Sequence, residues 1–182
     1  ITTAEKLITS VNITRDLQNE PANNLTPEIL AKRVSAEVKP FGIKTTIFGD
    51  HEIQKRKMGG LIAIGQGSIN KPRFIVLEYK PDQRSKKNKK GKTKTIALVG
   101  KGITFDTGGI SLKPAKNMGE MKADMSGAAV VVGTLIAAAK NNLPVHLFGI
   151  IPSAENMVSG ESIRPGDVVK ISNGKTVEIE DT

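Results

Sequence analysis

The chain has 182 residues, a hydrophobic fraction of 38% and 18 glycines, which fits one folded α/β domain with a sizeable core. It contains no cysteine, so disulfide frameworks, thiolate zinc sites and cysteine nucleophiles are excluded. Its two histidines, His51 and His146, lie far apart in sequence, so a metal site would have to rely mainly on oxygen ligands. We expect His51 on a surface helix and His146 in or beside a strand, and neither is assigned a role.

The net charge of +9 is concentrated in one segment. From Lys80 to Lys94 there are eight Lys or Arg residues and one acid, Asp82, which gives +7 and leaves +2 for the rest of the chain. No aromatic residues interleave with these lysines to stack on bases, so a solvated loop over 82–94 is favoured. A basic nucleic-acid-binding module is the alternative, but we do not expect nucleic acid as a partner.

No segment has the pattern of a membrane span or a leader. The longest apolar stretch, 127–139, is shorter than the roughly 20 residues that a bilayer requires. We therefore expect a cytoplasmic protein with no membrane partner.

The first predicted elements are two helices. One covers residues 1–20, and the second begins with Thr26 as its N-cap and Pro27 at the first helical position. Apolar residues recur at every fourth position and predict the buried face of this second helix. They are Leu30, Val34 and Val38. A short strand over 43–47 follows, and Asp50 is predicted to cap a short helix that extends to residue 57.

Apolar runs then predict the strands of a sheet. They cover 61–68, 73–80 and 95–100, with the lysine-rich segment as a long hairpin loop between the last two. A polar loop is predicted from 100 to 124, followed by an apolar helix over 126–140.

The last predicted elements are a strand and a hairpin. The strand covers 145–151, and Glu155 and Asn156 are predicted to lie in a structural turn after it. Asn173 and Gly174 between two β-rich runs predict the hairpin. This order of elements predicts an α/β fold with a three-layer arrangement, a mixed β-sheet flanked by helices.

The polar loop collects the groups that could carry chemistry. Lys101, Asp106, Lys113 and Asp124 follow a buried strand, and such loops form sites in α/β sheets. Two carboxylates brought together repel, and either a divalent cation or the two lysines would stabilise them. Structural alternatives remain open: Asp106 could form an Asx-turn, Asp124 could cap the next helix, and the lysines could be solvated.

Two sequence motifs cover this loop and the start of the helix that follows it. Lys-Gly-x-x-x-Asp-x-Gly-Gly-x-x-x-Lys-Pro covers 101–114, and Met-Lys-x-Asp-Met-x-Gly-Ala-Ala covers 121–129. Further matching blocks lie at 15–31, 151–160 and 164–179. Through these blocks, in this order, nearly the whole chain resembles the cytosolic leucyl aminopeptidase family of di-metal peptidases.

The resemblance implies a role for each residue of the loop. Lys101, as a neutral amine, and Asp124 would bind one metal, and Asp106 would bridge both metals. Lys113 would be a catalytic ammonium that polarises the scissile carbonyl. Met121 would help to bind the N-terminal side chain of the substrate.

The resemblance also implies an activity and its cofactors. The expected reaction is two-metal hydrolysis that releases N-terminal residues, leucine-like ones preferred, from peptide substrates. The expected ions are zinc or manganese, with magnesium as a further option, and a bicarbonate is expected in the full-length protein. The expected assembly is a homo-hexamer.

The resemblance places 1–182 in the first half of the catalytic domain, with 1–20 as a linker helix. We expect the family's separate N-terminal domain and the C-terminal half of the catalytic domain to lie outside this chain. Asp181 and Thr182 stand at the start of the family's Asn-Thr-Asp-Ala-Glu-Gly-Arg signature, which carries two further carboxylate ligands. We therefore expect these 182 residues alone to be inactive, and a non-catalytic structural role is the alternative.

Overall fold

A computed structural model describes residues 3–82 and 93–181. Most of the lysine-rich segment lies outside the described residues, so its prediction as a solvated loop stays a prediction.

The first two predicted helices are confirmed. Thr26 caps the second helix, because its Oγ1 accepts a hydrogen bond from the Ile29 backbone N–H at 3.4 Å.

The elements follow one another along the chain as alternating helices and strands. In order they are α1 (Thr3–Asn19), α2 (Pro27–Val38), β1 (Lys44–Phe48), α3 (Asp50–Lys55), α4 (Gly59–Gly65), β2 (Arg73–Tyr79), β3 (Thr95–Val99), β4 (Gly102–Asp106), α5 (Ser126–Lys140), β5 (His146–Asn156), β6 (Val168–Lys170) and β7 (Thr176–Glu178). Short 3₁₀ helices cover Ala22–Asn24, Lys39–Phe41 and Met118–Met125. The predicted hairpin is confirmed as β6 and β7, with Gly174 at a φ of 86°.

Five strands of the described chain form one mixed sheet, as predicted. β1 pairs with β2 and β2 pairs with β5, both antiparallel, whereas β3 and β4 both run parallel to β5. The prediction of a hairpin joining β2 and β3 is wrong, because β5 lies between these two strands. The lysine-rich segment therefore connects strands that do not pair.

Helices cover both faces of the sheet. Ile75 and Leu77 of β2 belong to one buried core with apolar residues of α1, α2 and α5. Side chains alternate along a strand, so Phe74 points to the other face. There its ring contacts Phe48, which in turn lies under the Arg56 guanidinium just after α3.

The core helix α2 has the predicted buried face, formed by Leu30, Val34 and Val38.

The 3₁₀ helix Met118–Met125 and α5 form one helical run of 23 residues, and its most apolar 18-residue window has a mean hydropathy of 1.3, which meets the length and composition of a membrane span. Half of its most apolar window is buried inside the protein. α5 packs against α1 and β5, and its buried residues belong to the main core. A core helix passes the same test, so the run is weak evidence for a membrane span.

Helix α4 corrects the prediction of a buried strand over 61–68. A short apolar run of this length fits either a strand or a buried helix, and tertiary contacts decide between them. Here small residues allow close packing. A Cβ on Gly59 would lie 2.0 Å from the Lys170 carbonyl oxygen, and one on Gly65 would lie 2.3 Å from Pro72.

The prediction that Asp50 caps a helix extending to residue 57 is also corrected. Gly49 is the N-cap of α3, and this helix ends at Lys55.

The predicted loop over 100–124 contains regular structure. β4 continues β3 along β5 in the same register, since Val99 lies opposite Ile150 and Gly102 opposite Ser153. The two strands are interrupted only at residues 100 and 101, opposite Ile151 and Pro152. A proline has no N–H to give to a ladder, and it makes a strand hard to extend from sequence. The prediction that β5 ends at residue 151 is wrong for this reason.

Candidate active site

Lys101 occupies the interruption between β3 and β4, where the start of α5 packs against the backbone. A Cβ on Gly100 would lie 2.4 Å from the Gly127 carbonyl oxygen, and one on Gly127 would lie 2.9 Å from the Lys101 nitrogen. Only glycines allow so close an approach. The Lys101 carbonyl then accepts a hydrogen bond from the Ala128 N–H at 2.9 Å, which fixes this residue against the first turn of α5.

Asp106 is positioned by a bulge in β4. Ile103 lies opposite Ala154, but Asp106 lies opposite Asn156, so β4 contains one residue more than β5 over this interval. Bulges redirect side chains and are frequent next to active sites. The side chain of Asp106 is almost completely buried at the end of β4, with 7% of the residue exposed.

Three donors surround the Asp106 carboxylate. Its Oδ1 accepts hydrogen bonds from the Gly108 N–H at 3.0 Å and from Asn156 Nδ2 at 2.8 Å. The Lys113 ammonium donates to its Oδ2. The Gly108 contact forms the predicted Asx-turn, so this structural alternative for Asp106 is confirmed. Asp106 contacts Lys113 at the same time through its other oxygen. Gly108 has a φ of 87°, a conformation that glycine adopts without strain.

The balance of these contacts keeps Asp106 ionised. Burial opposes the charged form and by itself would raise the pKa of Asp106. The hydrogen bonds from Lys113, Gly108 and Asn156, together with the Lys113 charge, outweigh burial and lower the pKa of this carboxyl below its ordinary value. Asp106 is therefore an anion at neutral pH, as a metal ligand or a partner of an ammonium must be.

Asp124 lies in the 3₁₀ helix Met118–Met125 and pairs with the other lysine. The Lys101 Nζ is 3.1 Å from Asp124 Oδ2, within ion-pair distance. The same oxygen is buried and accepts no hydrogen bond, so the pair is electrostatic without a directed N–H···O contact. The alternative of Asp124 as helix cap is wrong, because Met125 occupies the N-cap of α5.

The sulfur of Met121 contacts the second lysine. Lys113 Nζ lies 3.1 Å from Met121 Sδ and also contacts Asp106, so this ammonium is held between a thioether and a carboxylate. Lys113 is only about one-third exposed, and the alternative of a fully solvated lysine is therefore wrong.

A cavity of about 540 Å³ lies on the α4 side of the sheet at this point. Its polar lining residues are Lys101, Asp106, Asn156 and Asp181. Its apolar wall comes from α4 and the strands, namely Leu61, Ile64, Val99, Ile103 and Pro152. The two motifs singled out in the sequence therefore supply two lysine–carboxylate pairs, one at each end of β4, and one member of each pair lines the cavity.

No group of three or more His, Cys, Asp or Glu residues with metal-binding spacing occurs within 3–82 and 93–181. A metal here would need an amine as well as the carboxylates. The Oδ2 of Asp124 suits such a set, because a cation would satisfy a buried oxygen that lacks a hydrogen bond. An amine together with carboxylates is a donor set that fits zinc or manganese.

Asn156 is the polar partner that the sequence analysis missed. It was predicted to lie in a turn with Glu155, but both residues belong to the end of β5. They face opposite sides of the sheet. Asn156 contacts Asp106, whereas Glu155 accepts hydrogen bonds from Ser68 and Asn70. Only the polar Glu-Asn pair directly after an apolar strand could have signalled this role.

Comparison with known proteins agrees with the motifs. The model of the cytosol aminopeptidase family, catalytic domain, matches residues 12–182. The chain belongs to this family. Cytosol aminopeptidase of Rickettsia prowazekii (strain Madrid E) is 46% identical over 179 residues, which cover 98% of this chain and 34% of that protein. Probable cytosol aminopeptidase of Desulfovibrio desulfuricans (strain ATCC 27774 / DSM 6949 / MB) is 48% identical over 173 residues, 95% of this chain and 33% of that protein.

A solved structure also has a fold similar to that of this chain. Bottromycin maturation enzyme BotP in complex with Mn aligns with a TM-score of 0.87 and 39% identity, over 97% of this chain and 36% of that one. The chain therefore spans about one third of the length of the relatives that it matches.

Proposed function

We propose that the protein carrying this chain is a metal-dependent aminopeptidase that releases N-terminal residues from peptides. Family membership makes it a hydrolase of the exopeptidase class. The observation that carries the rest of the proposal is the pairing of each motif carboxylate with a motif lysine, Asp106 with Lys113 and Asp124 with Lys101. Such clusters of ionisable groups around a cavity are typical of active sites.

Three residues would hold the metal ions. Asp106 would contribute its carboxylate to both ions, and Asp124 would contribute the oxygen that has no hydrogen bond. Lys101 would join them as a neutral amine, since a divalent ion competes with the proton on a ligand nitrogen. When bound, the two ions would supply an activated water and stabilisation of the developing oxyanion.

Lys113 would act as the cationic residue beside the reacting carbonyl. Asp106 and Met121 Sδ hold its ammonium in place, so its position is set before substrate arrives. A preorganised positive charge stabilises an oxyanion more in the transition state than in the ground state. The apolar body of Met121 beside this ammonium supports a preference for leucine-like N-terminal residues.

The identity of the metal, the cellular location, the assembly and the bicarbonate are each proposed on separate grounds. Manganese is supported by a structural neighbour that was solved with Mn, and zinc by the mixed amine and carboxylate ligand set. A cytosolic location is supported by the names of the relatives. The homo-hexamer and the bicarbonate rest on the family resemblance alone.

We also propose that residues 1–182 by themselves lack aminopeptidase activity. The resemblance assigns Lys101, Asp106 and Asp124 to one ion, and of these residues it assigns only Asp106 to the second ion. The two rival functions make different predictions. A structural role predicts no activity in any longer form, and a nucleic-acid-binding module predicts salt-dependent DNA affinity that is lost when 84–94 are deleted.

The test measures hydrolysis of leucine p-nitroanilide by the full-length protein and by residues 1–182, after chelation and after addition of Mn²⁺ or Zn²⁺. We expect metal-dependent activity only in the full-length protein. Asp124→Asn should reduce the aminopeptidase activity at least about 100-fold, a loss similar to that caused by removing one preorganised electrostatic group from an active site. Asp167→Asn, which changes an acid paired with Arg164 in the β6–β7 region, is the matched control and should keep activity. Metal-independent activity, or an active Asp124→Asn variant, would contradict the proposal.

A further inference from the structure

Asn156 makes the closest side-chain amide contact to the carboxylate at the centre of the candidate site. Its Nδ2 donates to Asp106 Oδ1 at 2.8 Å, and only 4% of the residue is exposed. Oδ1 also accepts the Gly108 N–H, so these two donors occupy both lone pairs of that oxygen. Oδ2 alone is left to face other groups.

The backbone of Asn156 fixes the turn that follows Asp106. Its carbonyl oxygen accepts hydrogen bonds from the Thr107 N–H at 3.0 Å and from Thr107 Oγ1 at 2.9 Å. Thr107 Oγ1 in turn accepts the Gly109 N–H at 3.2 Å. One residue of β5 therefore holds the Asp106 side chain through its amide and the next residue through its carbonyl.

The β4 bulge is what brings these two side chains together. In the register of the preceding residues, Asp106 would lie opposite Met157, and Asn156 would lie opposite Phe105. The extra residue between Ile103 and Asp106 changes this pairing. Asparagine is a poor strand residue, so its presence in β5 lowers strand propensity at the position where the hydrogen bond to Asp106 is made.

We propose that Asn156 is a positioning residue that orients Asp106 for metal binding, an inference that rests on the proposed function. Partners that hydrogen-bond a ligating carboxylate fix its orientation, and their loss typically weakens metal affinity about 10- to 100-fold. Asn156 itself touches neither metal nor substrate in this role. It would act by fixing Oδ1, which leaves Oδ2, the oxygen that also contacts Lys113, as the one that would bind the ions.

The test is Asn156→Leu in the full-length protein, which removes the amide donor, keeps the branching at Cγ and keeps the backbone bonds to Thr107. Mn²⁺ affinity is measured from the electron paramagnetic resonance signal of free Mn²⁺, and the melting temperature is measured without metal. Glu155→Gln is the matched control, because it alters the neighbouring buried residue on the other face of the sheet.

We expect Asn156→Leu to bind Mn²⁺ about 10- to 100-fold more weakly than the wild type. Glu155→Gln should lower the melting temperature with unchanged Mn²⁺ affinity. Equal affinity in Asn156→Leu and wild type, or an equal loss in both variants, would overturn the inference. If wild type binds no Mn²⁺, the proposed function fails instead. Asn156→Ala, which removes the donor without adding volume, replaces the Leu variant if that variant is unfolded at the assay temperature.

Discussion

The Lys101 Nζ lies 3.1 Å from Asp124 Oδ2, a buried oxygen that accepts no hydrogen bond. Lys101 is 60% exposed, so the ion pair is screened by water and contributes little to stability. A buried carboxylate oxygen without a hydrogen bond costs free energy in the folded state. In the proposed metal-binding role, Asp124 would therefore lower the stability of the metal-free protein.

Asp124→Asn should consequently raise the stability of the metal-free protein while it weakens metal binding. Removing the charge relieves desolvation, and a gain of about 1 kcal/mol would raise the melting temperature by roughly 2–4 °C for a chain of this size. Differential scanning calorimetry in chelator, and again with Mn²⁺, measures both effects. A lower melting temperature of the variant in chelator would show that the Lys101 pair stabilises the fold.

Lys113→Met should reduce turnover much more than metal affinity. In the proposed role of Lys113, the variant would lose the cation beside the reacting carbonyl, and we expect kcat to fall about 100- to 1,000-fold. Because the Lys113 ammonium contacts Asp106 Oδ2, its removal frees that oxygen, and Mn²⁺ affinity should be kept or increased. Steady-state kinetics and Mn²⁺ titration separate the two quantities, and equal losses in both would contradict the role of Lys113.

Gly127→Ala should destabilise the protein although alanine favours helices. Alanine gains about 1 kcal/mol in helix propensity over glycine, but the new Cβ would lie 2.9 Å from the Lys101 nitrogen, a backbone atom that cannot rotate away. We expect a lower melting temperature and weaker Mn²⁺ binding, because the displaced residue is Lys101. Gly119→Ala is the control, since a Cβ there meets no atom within 4 Å. A Gly127→Ala variant as stable as the control would disprove the close packing.

The ion pair between Glu20 and Arg33 should make stability depend on pH. Arg33 Nη1 donates to Glu20 Oε2 at 2.5 Å, and this hydrogen bond lowers the pKa of Glu20 below its ordinary value of 4.5, against the opposing effect of burial. A lowered folded pKa gives stability that is fully present above the ordinary value and is lost as the pH falls through the folded value.

The measurement for this pair is the difference in melting temperature between wild type and Glu20→Gln from pH 7 to pH 3. Wild type should be more stable at pH 7, by less than about 1 kcal/mol for two partly exposed side chains. The difference should shrink as the pH falls below 4.5, because the pKa of Glu20 is lowered in the folded state. Glu161→Gln, in an exposed loop, is the control variant, and a wild-type advantage over Glu20→Gln that does not fall between pH 7 and pH 3 would refute the prediction.

Local signals were sufficient where one short-range interaction determines the structure. The cap at Thr26 and the turn at Gly174 depend on neighbours within a few residues, and both were predicted. The motif residues Lys101 and Asp106 were predicted to lie together, and they line the same cavity. The metal roles assigned to them stay predictions.

The rest depended on contacts between distant segments. The apolar run of α4 became a helix because Gly59 and Gly65 allow it to lie against residues far along the chain. Pro152 gave a false end to β5, which hid the strand residue Asn156. The bulge that pairs this residue with Asp106 has no local sequence signal, since it reflects a register between two strands.

The collinear strands β3 and β4 form one edge of the main sheet in the described part of the chain. Ile96 is 43% exposed and Val99 is 70% exposed on β3. An open edge with apolar side chains is a template for pairing with another chain. Residues 1–182, when produced on their own, should therefore tend to self-associate through this edge, and a charged substitution such as Ile96→Lys would be a way to keep them monodisperse for study.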